Sequence, residues 1–230
     1  MQQSLHSLWS KSCADTPMTK KQRALCIIDI FDKVYPNAEC SLDYTTDYEL
    51  LFAVILSAQC TDARVNIVTK DLFARYTTLE DYANADLDEL MDIVKSCGFY
   101  KNKAKNIIAT AKSIINDFGG KLPDTIEELT TLPGVGRKTA NLILGDVFGK
   151  PGVVVDTHCI RLSNRFGLTK ETDPVKIEFA LAKLIPPDKQ ARFCHQLVLH
   201  GRAYCTARKP LCGECPLSLV CPTGAKIMKG

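Results

Sequence analysis

The stretch LPGVGRKTAN, residues 132–141, places a lysine two positions behind a Gly134–Val135–Gly136 turn, with Arg137 between them. A glycine turn that opens a helix is suited to phosphate. Glycine accepts positive φ and has no Cβ to block approach. The free N–H groups and positive dipole end of the following helix favour an anionic oxygen. A nucleotide-binding P-loop is excluded, because it needs Gly-Lys-Ser/Thr on a turn leaving a strand. Here Lys138 follows Arg137, and the preceding TIEELTTL carries its apolar residues 126, 129 and 132 at helical spacing. The stretch therefore reads as helix, tight turn, helix, with Lys138 in the first turn of the second helix.

A second group able to do chemistry lies near the C-terminus. Cys205, Cys212, Cys215 and Cys221 follow C-x6-C-x2-C-x5-C. Four thiolates this close in sequence are enough to close a metal site, either zinc or an iron–sulfur cluster. Structural zinc usually shows two C-x2-C knuckles, and this pattern has one. The segment TARKPLCGECPLSLVC has few large apolar side chains, so a metal is expected to hold it together. Arg208 and Lys209, in the loop between the first two cysteines, would then present charge to a phosphate. The chain has 11 cysteines in all. An odd number without a secretory signal argues against a disulfide framework. The seven outside the cluster (Cys13, Cys26, Cys40, Cys60, Cys97, Cys159 and Cys194) read as small buried hydrophobes.

The elements that must position these groups are helices. Residues 48–58 are apolar on all sides, which marks a buried helix. Residues 62–76 put Val65, Val68, Leu72 and Tyr76 on one stripe with Asp62 as the cap, and 86–97 repeat the pattern. Residues 103–118 align Ile107, Ala111, Ile114 and Phe118 before Gly119–Gly120 ends the helix. Further helices are expected at 157–166, 174–185 and 189–204, and VVV at 153–155 reads as a lone short strand. The fold class is all-α. At 230 residues the chain suits one domain or two small ones. A net charge of +3 permits a nucleic-acid partner without requiring one. No run of 18 apolar residues or N-terminal signal is present, which implies no membrane span and no secretion. Met18 could be an alternative start, leaving the first 17 residues as a loose extension.

Four stretches in order carry a resemblance: LSAQCTD at 56–62, LPGVGRKTAN, VDTHCIR at 155–161 and the terminal cysteines. Together they resemble the helix-hairpin-helix DNA glycosylases, specifically the endonuclease III family, over roughly residues 20–225. The resemblance implies a helical barrel domain at 40–150, with the hairpin at about 125–148. It implies a second domain built from 1–39 and 151–230, carrying a [4Fe–4S] cluster on the four cysteines, with a DNA-binding cleft between the two. Lys138 would attack the sugar C1′ and Asp156 would assist. Chain geometry permits their meeting: about 15 Å of helix carries the chain away from Lys138, and eight residues can span up to about 26 Å on the return. Asp156 is also placed to cap the next helix.

The same resemblance implies that Gln59 fills the stack vacated by an extruded base, that Phe99 wedges beside the orphan base and that His158 lines the pocket. The family often has leucine where Phe99 stands. Gly134, Val135, Gly136 and Arg137 would grip the backbone. Lys101, Lys103 and Lys105 read either as phosphate contacts or as a solvated helix start. Relatives that use only an activated water lack the lysine and usually carry an extra C-terminal domain. This chain has Lys138 and ends at Gly230. The expected activity is base-excision repair: a bifunctional N-glycosylase and apurinic/apyrimidinic lyase acting on oxidised pyrimidines in double-stranded DNA, by Schiff base and β-elimination. Alternatives are a pyrimidine-dimer glycosylase of the same family and a catalytically silent DNA-binding or redox module. A cytoplasmic, nucleoid-associated monomer is expected.

Overall fold

The computed structural model describes residues 18–228, so Cys13 and the N-terminal extension lie outside the described residues. The chain divides into two compact units. One spans Cys40–Gly149, and the other combines the chain up to Glu39 with the chain from Lys150 onward. Among the described residues every regular element is helical.

Helix α1 (Lys20–Val34) belongs to the unit built from both ends and starts at a Thr19–Gln22 capping box. The unit at 40–149 begins with α2 (Asp47–Ser57), whose entry is another capping box formed by Thr46 and Glu49. Its residues Leu50–Leu56 are all buried, so this helix runs through the core, packed against α3 (Asp62–Arg75), α6 (Tyr100–Phe118) and α8 (Arg137–Asp146). The short helix α4 (Leu79–Ala83) and α5 (Leu87–Val94) lie against α6, and α7 (Ile126–Leu129) precedes α8. The cap of α3 differs from the expectation. Thr61 supplies it, accepting from Arg64 N, while Asp62 sits in the first turn and accepts a hydrogen bond from Ser41 Oγ at 2.7 Å. A carboxylate one position inside the helix still gains from the dipole, and the hydroxyl before it is the residue with extended backbone.

The other unit continues with α9 (Thr157–Arg165), α10 (Pro174–Ala182), α11 (Gln190–Ala203) and α12 (Pro222–Ile227). Phe31 anchors its core, with ring centroids of Tyr35, Phe193 and His200 at 5.6, 5.8 and 5.2 Å. Residues 153–155 form no strand. A strand needs a ladder partner, and Val154 N instead donates to Cys194 Sγ at 3.2 Å. Cys97, Cys159 and Cys194 are buried free thiols. Cys26 is buried as well, at 4% exposure.

Candidate active site

The glycine turn is built from below by α6. Thr110 Oγ1 donates to Pro133 O at 2.8 Å, and Val135, 6% exposed, plugs the turn into the core. Gly134 has φ +78°, and a Cβ there would stand 2.6 Å from Asn106 Nδ2. Both the backbone conformation and the neighbour therefore require glycine. Gly136 is different. It has φ −95°, caps α8 without any side-chain hydrogen bond, and a Cβ there would meet nothing within 4 Å. Its missing side chain opens space in front of the α8 N-terminus, where the first-turn N–H groups have no intrahelical acceptor. Arg137 is half-buried and Lys138 is exposed in that first turn.

Two loop tips project from the same unit. Gln59 (φ +55°) and Phe99 (φ +49°) are, among the described residues, the only ones other than glycine with positive φ. Such residues cost on the order of 1–3 kcal/mol and cluster where function requires a set pose. Both are exposed, and Phe99 at 64% is no core residue. Of the three lysines that follow, Lys101 and Lys105 are exposed. Lys103 is not available to a phosphate: it is 5% exposed, and its Nζ donates to Leu56 O, Ala58 O and Cys97 O at 2.8, 2.7 and 2.9 Å.

Asp156 belongs to the other unit. It caps α9, with Oδ1 accepting from Cys159 N at 2.7 Å, which commits one carboxylate oxygen to the backbone and leaves Oδ2 for chemistry. His158 packs on the Gly201 backbone, where a Cβ would overlap its ring. Its Nδ1 lies 3.0 Å from Arg161 Nη2. Burial and the Arg161 and Arg202 charges hold its pKa below the ordinary histidine value against the pull of Asp156, so a neutral ring accepts from Arg161.

The four cysteines line one shared space together with Arg165, Phe166, Tyr204 and Pro210. Cys205, Cys215 and Cys221 are buried and Cys212 half-buried. The side chains surround the space rather than converge on a point, and among the described residues no three potential ligands already stand in a ligating group. Burial pushes the Cys215 thiol up to about 12 and raises Cys221. Thiols in that environment lose their protons when a bound metal supplies the compensating charge. The donor set, four thiols lining one shared space, fits a cluster held by four thiolates. Arg165 organises the loop that carries the first ligand: Nη1 donates to Thr206 O at 2.7 Å and to Cys205 Sγ at 3.2 Å, and Nη2 donates to Ala207 O at 2.8 Å. Arg208 and Lys209 lie exposed on that loop. His200, fully buried, has Nε2 3.5 Å from Cys215 Sγ and Nδ1 3.1 Å from Tyr35 Oη.

Sequence reasoning missed Asn106, Thr110, Arg165 and the burial of Lys103. One signal was available for the last: Lys103 lies four residues before Ile107 on the apolar stripe of its helix, and a charge on such a stripe needs buried partners.

Comparison with known proteins agrees with this geometry. Residues 52–187 match the family model for HhH-GPD superfamily base excision DNA repair protein, and residues 205–221 match the iron–sulfur binding domain of endonuclease III. Endonuclease III of Synechocystis sp. is 54% identical over 89% of this chain and 94% of its own. The Bacillus subtilis protein of that name is 46% identical over 90% and 94%. A solved trapped endonuclease III–DNA covalent intermediate superposes with a TM-score of 0.84 at 42% identity, covering 92% of this chain and 99% of that one. A non-covalent endonuclease III–DNA complex also has a TM-score of 0.84 at 42% identity, over 93% and 100%. With the uncapped hairpin, the four-cysteine loop and these likenesses spanning nearly the whole chain, the protein belongs to the endonuclease III family of HhH-GPD base excision DNA repair proteins and carries that family's [4Fe–4S] site.

Proposed function

We propose that the chain is a bifunctional DNA N-glycosylase and apurinic/apyrimidinic lyase that removes oxidised pyrimidines from double-stranded DNA. The observation that carries this reading is Lys138, exposed in the first turn of α8 directly behind the uncapped N-terminus at Gly136. The hairpin N–H groups take a backbone phosphate, which brings the sugar of an extruded nucleotide to the lysine. A neutral Nζ attacks C1′ and the C1′–N bond to the base breaks, its electron pair leaving with the base. The ring then opens to an imine between Nζ and C1′. Loss of a C2′ proton expels the 3′ phosphate by β-elimination, and water releases the enzyme. The free Oδ2 of Asp156 serves as the carboxylate that supports cationic character at C1′ and shuttles protons. A covalent protein–DNA intermediate has been trapped for the relative named above, which supports a covalent step here. Gln59 and Phe99 enter the duplex at the extruded base, and Arg208 and Lys209 hold phosphates beside the cluster loop, which the [4Fe–4S] group keeps folded. No helix among the described residues is long and apolar enough to cross a membrane, and the chain is taken to act as a monomer on bacterial nucleoid DNA.

Borohydride reduces an imine to a stable amine, so purified protein mixed with a duplex containing thymine glycol or an abasic site should yield a covalent adduct. Lys138→Ala should give neither adduct nor strand cleavage. Undiminished trapping by Lys138→Ala would overturn the assignment of the nucleophile.

A further inference from the structure

Lys103 plays no part in the chemistry above, yet few arrangements in the molecule are as fully committed. An ammonium has three donors and no acceptor. All three go to main-chain carbonyls: Leu56 O and Ala58 O at 2.8 and 2.7 Å, and Cys97 O at 2.9 Å. The first two end α2, and the third ends the 3₁₀ turn Lys95–Cys97. One cation thus caps two helical C-termini at once, each contributing the negative end of its dipole and carbonyls that no later turn can use. That pairing stabilises a charge whose burial would otherwise be costly.

What the two ends lead into gives this clamp its purpose. Ala58 immediately precedes Gln59, and Cys97 is two residues before Phe99. Among the described residues these are the two other than glycine held in the left-handed region, and both are exposed. Each tip is therefore strained, and each is tied at its base to the same nitrogen. Gln59 follows a clamped carbonyl directly, and Phe99 follows one with Gly98 between.

We propose that Lys103 is a positioning residue that fixes the pose and mutual spacing of Gln59 and Phe99, so that both enter the duplex together. The inference rests on the reading that these two tips replace an extruded base. A clamp made in the free protein removes the ordering cost of two loops at the moment of insertion. It also explains why the middle lysine of Lys101, Lys103 and Lys105 is withdrawn from solvent.

The test compares Lys103→Met, which keeps the length of the side chain and removes its donors, with the wild-type holoprotein. Single-turnover cleavage is measured on duplexes carrying the same lesion either paired or in a bulge, and amide hydrogen exchange is followed without DNA. Lys103→Met should lose about 10- to 100-fold in kcat/KM on the paired lesion and far less on the bulged one. Exchange should quicken at residues 57–61 and 97–100 together while 132–140 stay unchanged. Equal losses on both substrates, or loosening of one loop alone, would overturn the clamp. Should Lys103→Met not be recovered folded, Lys103→Gln carries the same comparison. In the wild type the two loops should open with one common urea dependence, and separate openings would count equally against the proposal. Gln59→Ala and Phe99→Ala are run in parallel. If they too lose equally on paired and bulged lesions, the reading of the tips fails, whereas a paired-only loss in them without one in Lys103→Met refutes the clamp alone.

Discussion

The two hairpin glycines have different tasks, and alanine at each separates them. At Gly134 the backbone has φ +78°, and a Cβ would lie 2.6 Å from Asn106 Nδ2 and 3.1 Å from Asn106 Cβ. The left-handed conformation alone costs a non-glycine residue about 1–2 kcal/mol. The overlap adds to it, because Asn106 must turn away. Gly134→Ala should therefore lower the melting temperature by several degrees, at about 2–4 °C per kcal/mol for a chain of this size. At Gly136 φ is −95° and the space is open, so alanine is sterically free. Only the weaker capping preference of alanine operates, and it costs less than about 1 kcal/mol. A phosphate seated on the α8 N-terminus would meet the new methyl group. A charged hydrogen bond lost there costs about 1.5–3 kcal/mol, or roughly 10- to 150-fold in affinity. The assay is fluorescence anisotropy with a duplex holding a non-cleavable abasic analogue at fixed salt, beside a thermal melt of each variant. Gly136→Ala should bind weakly yet melt close to wild type. Gly136→Ala with unchanged affinity would refute the argument that this turn grips a phosphate.

Phe99→Ala removes an exposed ring, so stability should hold while kcat/KM on a paired lesion falls about 5- to 150-fold, corresponding to 1–3 kcal/mol of stacking; a bulged lesion should show a smaller loss. Cys212→Ser should reduce bound iron from about four per chain and make residues 205–221 sensitive to protease, whereas full iron content would show that Cys212 is not a ligand. Asp32 accepts from Lys189 Nζ and from Gln196 Nε2, both at 3.0 Å. Burial raises its pKa, but these partners outweigh it and the net shift is downward from 3.8. A carboxyl depressed in the folded state contributes stability above its unfolded pKa and loses it as pH falls through the folded value. Asp32→Asn should therefore lower the melting temperature at neutral pH, and its deficit against wild type should close below about pH 3.8. A deficit constant with pH would contradict the ion pair.

Much of this protein is determined by short-range chemistry, and that part is legible in the sequence. Helix starts follow from a hydroxyl or carboxylate whose side chain satisfies a nearby amide, as at Thr46 with Glu49 and at Asp156. The hairpin follows from two glycines at a set spacing, and the metal site follows from four thiols close enough along the chain to meet. Where two neighbours could both do a local task, as Thr61 and Asp62 could at α3, the backbone conformation decided between them. Other features depended on which surfaces face each other. Residues 153–155 have the composition of a strand, but pairing is a long-range event, and Val154 N finds a sulfur from α11 instead. Lys101, Lys103 and Lys105 are alike as residues, and only the third dimension brings the carbonyl ends of α2 and of the Lys95–Cys97 turn to the middle one. A side chain's conformational and capping preferences act over three or four residues and are readable along the chain. Its buried partners are set by packing between distant segments, so the task of Lys103 exists only once the tertiary structure has formed.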